Sequence, residues 1–159
     1  NDSFYVDNAS DVVTEITGEG SDTIYSTINW TLSTFVENLT LIGSGNVNAT
    51  GSNFTNVIIG NSGDNILDGG NGIDTMRGGL GNDTYILDSV SDNILEDSAA
   101  GIDSVQIGAS YTLGNNFERL ILTGNGSLTG TGNGLDNYLQ GGSGANTLSG
   151  GGGNDTIDG

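Results

Sequence analysis

Acidic and amide side chains recur at nine-residue steps along this sequence, and their oxygen atoms are its main chemical resource. Asp74, Asp83 and Asp92 follow one another at this step, and Asn56 and Asn65 precede them in register. An apolar residue stands two positions after each of them, which indicates a regular element around every copy. The same column returns later in the chain at Asn137, Asn146 and Asp155.

Charge and composition exclude most other chemistry. The 159 residues include 20 Asp and Glu but only two basic residues, Arg77 and Arg119, so the net charge is -18. Cys, His and Lys are absent, which excludes disulfides, zinc and haem sites, and Ser–His, thiol or Schiff-base catalysis. Two cations cannot form a phosphate-binding surface, and no apolar run approaches the ~20 residues of a bilayer span. Nucleic acid binding and membrane insertion are therefore not expected. The carboxylates need cations from solvent, and oxygen ligands favour Ca²⁺.

The chain also has a long repeat, in which Asn1 aligns with Asn82 and the match continues without gaps to the end of the sequence. Of the 78 aligned pairs, 29 are identical. The long repeat predicts two units, 1–81 and a truncated 82–159, with the nonapeptides of 51–86 running across the boundary. We expect one continuous solenoid, cut from a longer tandem array.

Each nonapeptide predicts a tight turn followed by a short strand. Glycines at its start permit positive φ, and its last residues place one apolar side chain inward. Two turns and two strands close a coil, so the fold class is all-β, a parallel β-roll or β-solenoid of about 18 residues per coil. Acidic turns then stack about 4.8 Å apart, a spacing at which carboxylates repel unless a cation lies between them.

Three segments, beginning at Gly69, Gly78 and Gly150, resemble the RTX (repeats-in-toxin) nonapeptide of haemolysin-type calcium-binding proteins, Gly-Gly-x-Gly-x-Asp-x-apolar-x. The resemblance implies a β-roll with calcium between stacked turns. It also implies type I secretion to a calcium-rich exterior, and so an extracellular or cell-surface protein. The stretches between nonapeptides resemble the spacers of large secreted proteins of this group. There we expect larger, metal-free coils with a core formed by Trp30, Leu32, Leu39, Leu41, Tyr111, Leu113, Leu120 and Leu122.

The candidate calcium ligands fall into groups. The aspartates with the fullest support are Asp74, Asp83 and Asp155, joined by Asp2 as the counterpart of Asp83. Backbone carbonyls in the turns are expected to assist, at Gly70, Gly72, Gly79, Gly81, Gly151 and Gly153. Some turn glycines are missing around four further aspartates, so calcium ligation and a solvated turn both stay open for Asp11, Asp22, Asp92 and Asp103. Two amides, expected to bind calcium weakly or to stack by hydrogen bonds, are Asn65 and Asn146.

Four glutamates recur in the long repeat: Glu15 with Glu96, and Glu37 with Glu118. Solenoid symmetry repeats every residue regardless of chemistry, so a structural role or a solvated face is favoured over paired catalytic carboxylates. The sequence supplies no nucleophile with a base, and we expect no enzymatic activity.

The sequence therefore predicts a calcium-binding structural module of a secreted protein, such as an adhesin, surface-layer component or filament, that folds on calcium binding after export. The alternative is a C-terminal accessory or secretion region of a secreted protease, lipase or epimerase. Expected partners are several Ca²⁺ ions, neighbouring copies of the repeat in end-to-end or lateral self-assembly, and other surface proteins or polysaccharide.

Overall fold

Seventeen short strands, separated by turns, make up the computed structural model, which describes residues 1–159. Every pairing between strands is parallel, and each strand pairs with one that lies one coil further along the chain. The chain has no helix and hence none able to cross a bilayer. The predicted all-β parallel solenoid, with about 18 residues per turn, is confirmed, and the chain forms about 9 turns.

The strands alternate between two faces of the coil. One face begins with a six-stranded sheet, ordered β1 (Ser3–Val6), β2 (Thr23–Ser26), β4 (Asn38–Leu41), β6 (Val57–Ile59), β8 (Thr75–Arg77) and β10 (Asn93–Leu95). A three-stranded sheet follows it in the chain, formed by β12 (Tyr111–Thr112), β14 (Thr129–Thr131) and β16 (Thr147–Ser149). The other face is an eight-stranded sheet of β3 (Trp30–Thr31), β5 (Ala49–Thr50), β7 (Ile66–Asp68), β9 (Thr84–Leu87), β11 (Ser104–Ile107), β13 (Arg119–Leu122), β15 (Tyr138–Gln140) and β17 (Thr156–Asp158).

Coil length, measured between the residues that precede stacked strands, depends on the sequence type. In the nonapeptides the step from Asn56 to Asp74 is 18 residues. In the first spacer the steps are 20 residues from Asp2 to Asp22, 15 from Asp22 to Glu37, and 19 from Glu37 to Asn56. The second spacer repeats the steps of 20, 15 and 19. Two of these coils are larger, as expected, and one is shorter.

The long repeat exchanges the two faces. Its offset, from Asn1 to Asn82, corresponds to four and a half coils of about 18 residues, so a segment and its counterpart lie on opposite sides of the solenoid. Strand β1 belongs to the six-stranded sheet, while its counterpart β9 belongs to the eight-stranded one. The eight-stranded sheet therefore runs across both units without a break.

The core is a column of apolar side chains, one or two from most of the strands. The apolar residue two positions after the acidic one is fully buried in the central coils, at Ile58, Leu67, Met76, Tyr85 and Leu139. Six of the eight predicted spacer core residues are buried as well, at Leu32, Leu39, Leu41, Leu113, Leu120 and Leu122. The aromatic pair, Trp30 and Tyr111, is only partly buried and packs against the core from its edge. This continuous core holds the turns of successive coils in register.

Candidate metal centre

Each acidic or amide residue of the nine-residue series immediately precedes a strand, so strand stacking aligns these residues in two columns. Asp74 precedes β8 on one face, and Asp83 precedes β9 on the other. The first column contains Asp2, Asp22, Glu37, Asn56, Asp74 and Asp92. The second contains Asn65, Asp83, Asp103, Glu118, Asn137 and Asp155.

Hydrogen bonds link each column from coil to coil. The backbone N–H of Asn56 donates to Oδ1 of Asp74 at 2.8 Å, and that of Asp74 donates to Oδ1 of Asp92 at 3.1 Å. One oxygen of each of these carboxylates is therefore occupied by the coil before it. The same bond joins Asp2 to Asp22, Asn65 to Asp83, Asp83 to Asp103 and Asn137 to Asp155.

Glutamates continue the columns where the coil is short. The shortened coil places Glu37 above Asp22, and Oε2 of Glu37 accepts the backbone N–H of Asp22 at 2.9 Å. Glu118 accepts the N–H of Asp103 in the same way, at 2.8 Å. The structural role predicted for these two glutamates is the bond that an aspartate makes elsewhere in the column.

The side chains of the asparagine turns have all their hydrogen-bond partners within the protein. Oδ1 of Asn56 accepts the backbone N–H of Ser52 at 2.7 Å, inside its own turn. The amide nitrogen of Asn56 donates to the carbonyls of Val36 and Glu37 in the preceding coil, at 3.0 and 3.2 Å. Asn65 and Asn137 likewise accept an N–H from within their turns. A side-chain oxygen engaged in this way needs no cation.

The aspartate turns are built differently. Oδ2 of Asp74 and Oδ2 of Asp83 are buried and have no hydrogen-bond partner, although the residues are 0% and 1% exposed. All six glycines predicted to assist have positive φ, at Gly70, Gly72, Gly79, Gly81, Gly151 and Gly153. Non-glycine residues rarely adopt this backbone, and the asparagine turns contain none of it. An orphaned, buried carboxylate oxygen is costly unless a cation takes the vacant lone pairs, so these turns fit a metal ion.

Asn146 is an intermediate case. Its amide nitrogen donates to the carbonyls of Gly142 and Gly144, at 3.0 and 2.8 Å. The positively polarised NH₂ group thus binds turn carbonyls of the kind expected to ligate calcium. Asn65, at the equivalent place in the first unit, donates instead to the carbonyl oxygen of Val47 at 2.7 Å. Calcium binding at either amide stays a prediction.

Three clusters of carboxylates bring the columns together with residues from neighbouring turns. Within each cluster, one ligand atom per residue lies within 4.8 Å of the others. The clusters are Asp74 with Asp88 and Asp92, Asp83 with Glu96 and Asp103, and Asp2 with Glu15 and Asp22. The last two are counterparts in the long repeat. Carboxylates this close repel one another, and a divalent cation relieves the repulsion.

Burial is the main influence on the acidity of these groups. It raises the pKa of Asp74 and of Asp83 to about 6, and that of Asp103 to about 7, from 3.8. Neighbouring carboxylates, Asp92 beside Asp74 and Glu96 beside Asp83 and Asp103, raise the pKa values further. Without a cation, these three carboxyl groups are therefore partly protonated near neutral pH, which reduces the repulsion within the columns.

The structure brings most of the predicted site residues together and leaves two apart. Asp2, Asp22, Asp74, Asp83, Asp92 and Asp103 all lie in carboxylate clusters. Asp155 joins its column but no cluster, and Asp11 is exposed, where its Oδ2 accepts the N–H groups of Asp7 and Asn8.

Three cluster members were not among the predicted calcium ligands: Glu15, Asp88 and Glu96. Asp88 comes directly after strand β9, where no pattern marked it. Glu15 and Glu96 were marked by the long repeat, but a solvated or structural role was favoured. Half-buried Glu96 lies beside Asp83 and Asp103, within a spacer that we expected to be metal-free.

The fold and the site together define a parallel β-solenoid whose stacked turns carry clustered carboxylates. The RTX calcium-binding nonapeptide repeat, in four copies, matches residues 50–85 and 131–159. The chain therefore carries RTX repeats, as its nonapeptides predicted, and these repeats imply Ca²⁺ binding.

Among curated proteins, the endo-1,3-1,4-beta-glycanase ExsH of Rhizobium meliloti (strain 1021) is 41% identical over 64 residues. The match covers 40% of this chain and 14% of that protein. No solved structure matches this one.

Proposed function

We propose that this chain is a calcium-binding structural module of a secreted protein, and that calcium binding drives its folding after export. The observation that carries the proposal is the unpartnered, buried Oδ2 of Asp74 and of Asp83. Each lies in a turn with two positive-φ glycines and within an RTX repeat. Asp74, Asp83 and Asp155, with the glycine carbonyls of their turns, would hold the ions, and each ion would neutralise the buried charge.

The net charge explains why folding should depend on calcium. With 20 acidic side chains against two arginines, the compact chain repels itself unless cations bind. Sites with dissociation constants of ~10⁻⁴–10⁻³ M stay empty in cytosol and fill outside the cell. Each adds on the order of 0.4–1.4 kcal/mol when free calcium is one to ten times its dissociation constant. Because the sites belong to one stack of coils that folds as a unit, their binding free energies add, and the folded fraction should rise steeply with calcium concentration.

Circular dichroism of the purified chain tests this proposal. We expect little strand signal in excess chelator and a cooperative gain on adding calcium. Magnesium at equal concentration should be much less effective, because Mg²⁺ demands a near-ideal octahedron and dehydrates reluctantly. A strand signal that chelation leaves unchanged would overturn calcium-dependent folding.

The finer role proposed is part of an adhesin, surface-layer component or filament on the cell surface. Supporting it are the long repeat and the apolar side chains exposed on the turns, such as Ile73 and Leu80, both 59% exposed. Neighbouring copies of the repeat, other surface proteins or polysaccharide are the partners proposed for this surface. Sedimentation at increasing protein concentration in calcium tests self-assembly: a monomer at every concentration would remove it.

The second candidate is an accessory region of a secreted enzyme. It is supported by the 64-residue match to a glycanase of which this chain covers only 14%. In this role the chain itself would not be catalytic: its clustered carboxylates would hold calcium instead of acting as the acid and nucleophile of a glycosidase. Incubation of the purified chain with a mixed-linkage β-1,3-1,4-glucan should release no reducing ends. Reducing ends that appear in proportion to the purified chain would show that it is an enzyme.

A further inference from the structure

Glu96 lies outside the RTX repeats yet meets two members of the second column. Its carboxylate and those of Asp83 and Asp103 each offer a ligand atom within 4.8 Å of the others. Asp83 and Asp103 are both 1% exposed, so the cluster is closed to bulk water on two sides. The first stretch of the family match ends at residue 85, which leaves Glu96 and Asp103 in the spacer.

A second observation points to a ligand at this cluster. Oδ1 of Asp83 accepts the N–H of Asn65 at 2.7 Å, whereas its buried Oδ2 has no partner. The nearest basic side chain does not supply one, because Arg77 forms its ion pair with Asp97. Three carboxylates with an unsatisfied buried oxygen form a hard, oxygen-only donor set of the kind that binds Ca²⁺ and lanthanides.

Tyr85 holds the glutamate in position. The tyrosine is fully buried at the apolar position of its nonapeptide, and its ring meets Phe117 edge-on, with centroids 5.3 Å apart. Its hydroxyl accepts the N–H of Gly78 and lies 2.5 Å from Oε2 of Glu96, to which it donates. The phenol has one proton to donate, and Oε2 of Glu96 is a nearer acceptor than the carbonyl oxygen of Leu95, which lies at 3.1 Å. Such a bond to a carboxylate ligand fixes its orientation.

The first unit has the same three carboxylates without the hydroxyl. Glu15 joins Asp2 and Asp22 in the equivalent cluster, but the counterpart of Tyr85 is Phe4. Glu15 has no tyrosine donor to orient it. Glu15 and Glu96 are both half-buried, but Asp2 is exposed where its counterpart Asp83 is buried. The repeat thus contains its own comparison: the same three residue types, buried more deeply and joined by the positioning hydroxyl in the second unit only.

We infer that Glu96, held by the Tyr85 hydroxyl, completes a calcium site with Asp83 and Asp103 at the junction of nonapeptide and spacer. This site binds more tightly than the Asp2–Glu15–Asp22 cluster. It rests on the proposed function in that the ion is calcium, but it does not require that calcium drives folding. Tyr85 is a positioning residue that acts through Glu96.

The test is calorimetric titration of the whole chain with Ca²⁺, together with Tb³⁺ luminescence excited through tyrosine. Glu96→Gln should remove the tightest ion, and Tyr85→Phe should weaken it about 10–100-fold without changing the number of ions. Tyr85→Phe should also lower the sensitised Tb³⁺ emission at full occupancy. Glu15→Gln should alter only a weaker ion, and Asp158→Asn, at an exposed residue outside every carboxylate cluster, should alter none.

Circular dichroism in saturating calcium shows whether each variant folds, so that lost binding is not mistaken for unfolding. If Glu96→Gln and Tyr85→Phe both bind like the parent chain while calcium still folds it, the junction site is wrong and the proposed function stands. If the chain folds without calcium but Glu96→Gln still loses the tight ion, the site stands and calcium-driven folding falls.

Discussion

Asn56 and Asp74 occupy the same position in successive coils, and a 2.8 Å hydrogen bond from the Asn56 N–H to Oδ1 of Asp74 joins them. The side-chain oxygen of Asn56 and the second carboxylate oxygen of Asp74 have different surroundings. That of Asn56 accepts the N–H of Ser52, whereas Oδ2 of Asp74 is buried without a partner. The turn of Asn56 is thus complete, whereas the turn of Asp74, which has positive-φ glycines at Gly70 and Gly72, leaves a carboxylate oxygen that needs a cation.

Asn56→Asp should therefore destabilise the fold without creating a calcium site. The substitution removes the donor to the Val36 and Glu37 carbonyls and buries a charge beside Asp74. We expect a loss of about 1–3 kcal/mol in the free energy of unfolding in saturating calcium, measured by urea titration. Exposed Asn115→Asp adds the same charge as a control and should change stability little. An additional bound ion in Asn56→Asp would show that the turn type does not decide binding.

The nine-residue step was enough to predict the columns, because it fixes which residues precede stacked strands. Asp74 and Asp83 lie where the nonapeptide pattern puts them, and their apolar partners Met76 and Tyr85 are buried. The pattern also locates the positive-φ glycines, since RTX turns use Gly at the two positions where a Cβ would be strained.

The rest of the site depends on contacts that no local pattern encodes. Glu96 follows Asp83 in the chain by more than one nonapeptide, in a spacer, and coil closure alone brings them together. The recurrence of Glu15 as Glu96 in the long repeat was the available signal, but it does not distinguish a ligand from a surface residue. Likewise, the short coil depends on Glu37 replacing an aspartate, which its spacing does not show.

The calcium-free chain should become less stable as the pH rises from about 4 to 7. Folding raises the pKa of Asp74 and Asp83 to about 6, and that of Asp103 to about 7, above the ordinary 3.8. Between these values the folded chain binds more protons than the unfolded chain, so the free energy of unfolding falls as pH increases.

Circular dichroism in chelator measures this dependence, because a chain that is largely unfolded there at pH 7 should gain strand signal as the pH is lowered towards 4. With saturating calcium the trend should reverse, because the ion competes with protons for the same carboxylates and its affinity rises with pH. A calcium-free chain whose stability rises steadily from about pH 4 to 7 would contradict raised pKa values in the column.

Gly79→Ala should weaken both the fold and calcium binding. Gly79 has φ of +103°, and a Cβ there would lie 2.5 Å from the carbonyl oxygen of Asn61 in the preceding coil. We expect a loss of about 1–3 kcal/mol and a lower apparent calcium affinity. Gly134→Ala is the matched control, since Gly134 has an ordinary φ and no atom within 4 Å of the added Cβ. Equal effects of the two substitutions would show that the positive-φ turn is not required.

Asp74→Asn should have opposite effects with and without calcium. Asp74 is fully buried, and its unpartnered Oδ2 is the atom that the substitution replaces by an amide NH₂. In chelator the removal of a buried charge should raise the free energy of unfolding by about 1 kcal/mol. In saturating calcium the same variant should be less stable than the parent by a similar amount, because one ion is lost. Exposed Asp158→Asn removes a charge without removing a column ligand, and its effect on stability should not change sign between chelator and calcium. Urea titrations measure both variants in calcium, and titrations with trimethylamine N-oxide, which favours burial, measure them in chelator, where the chain is largely unfolded. A parallel shift of Asp74→Asn in both media would mean that Asp74 does not hold calcium.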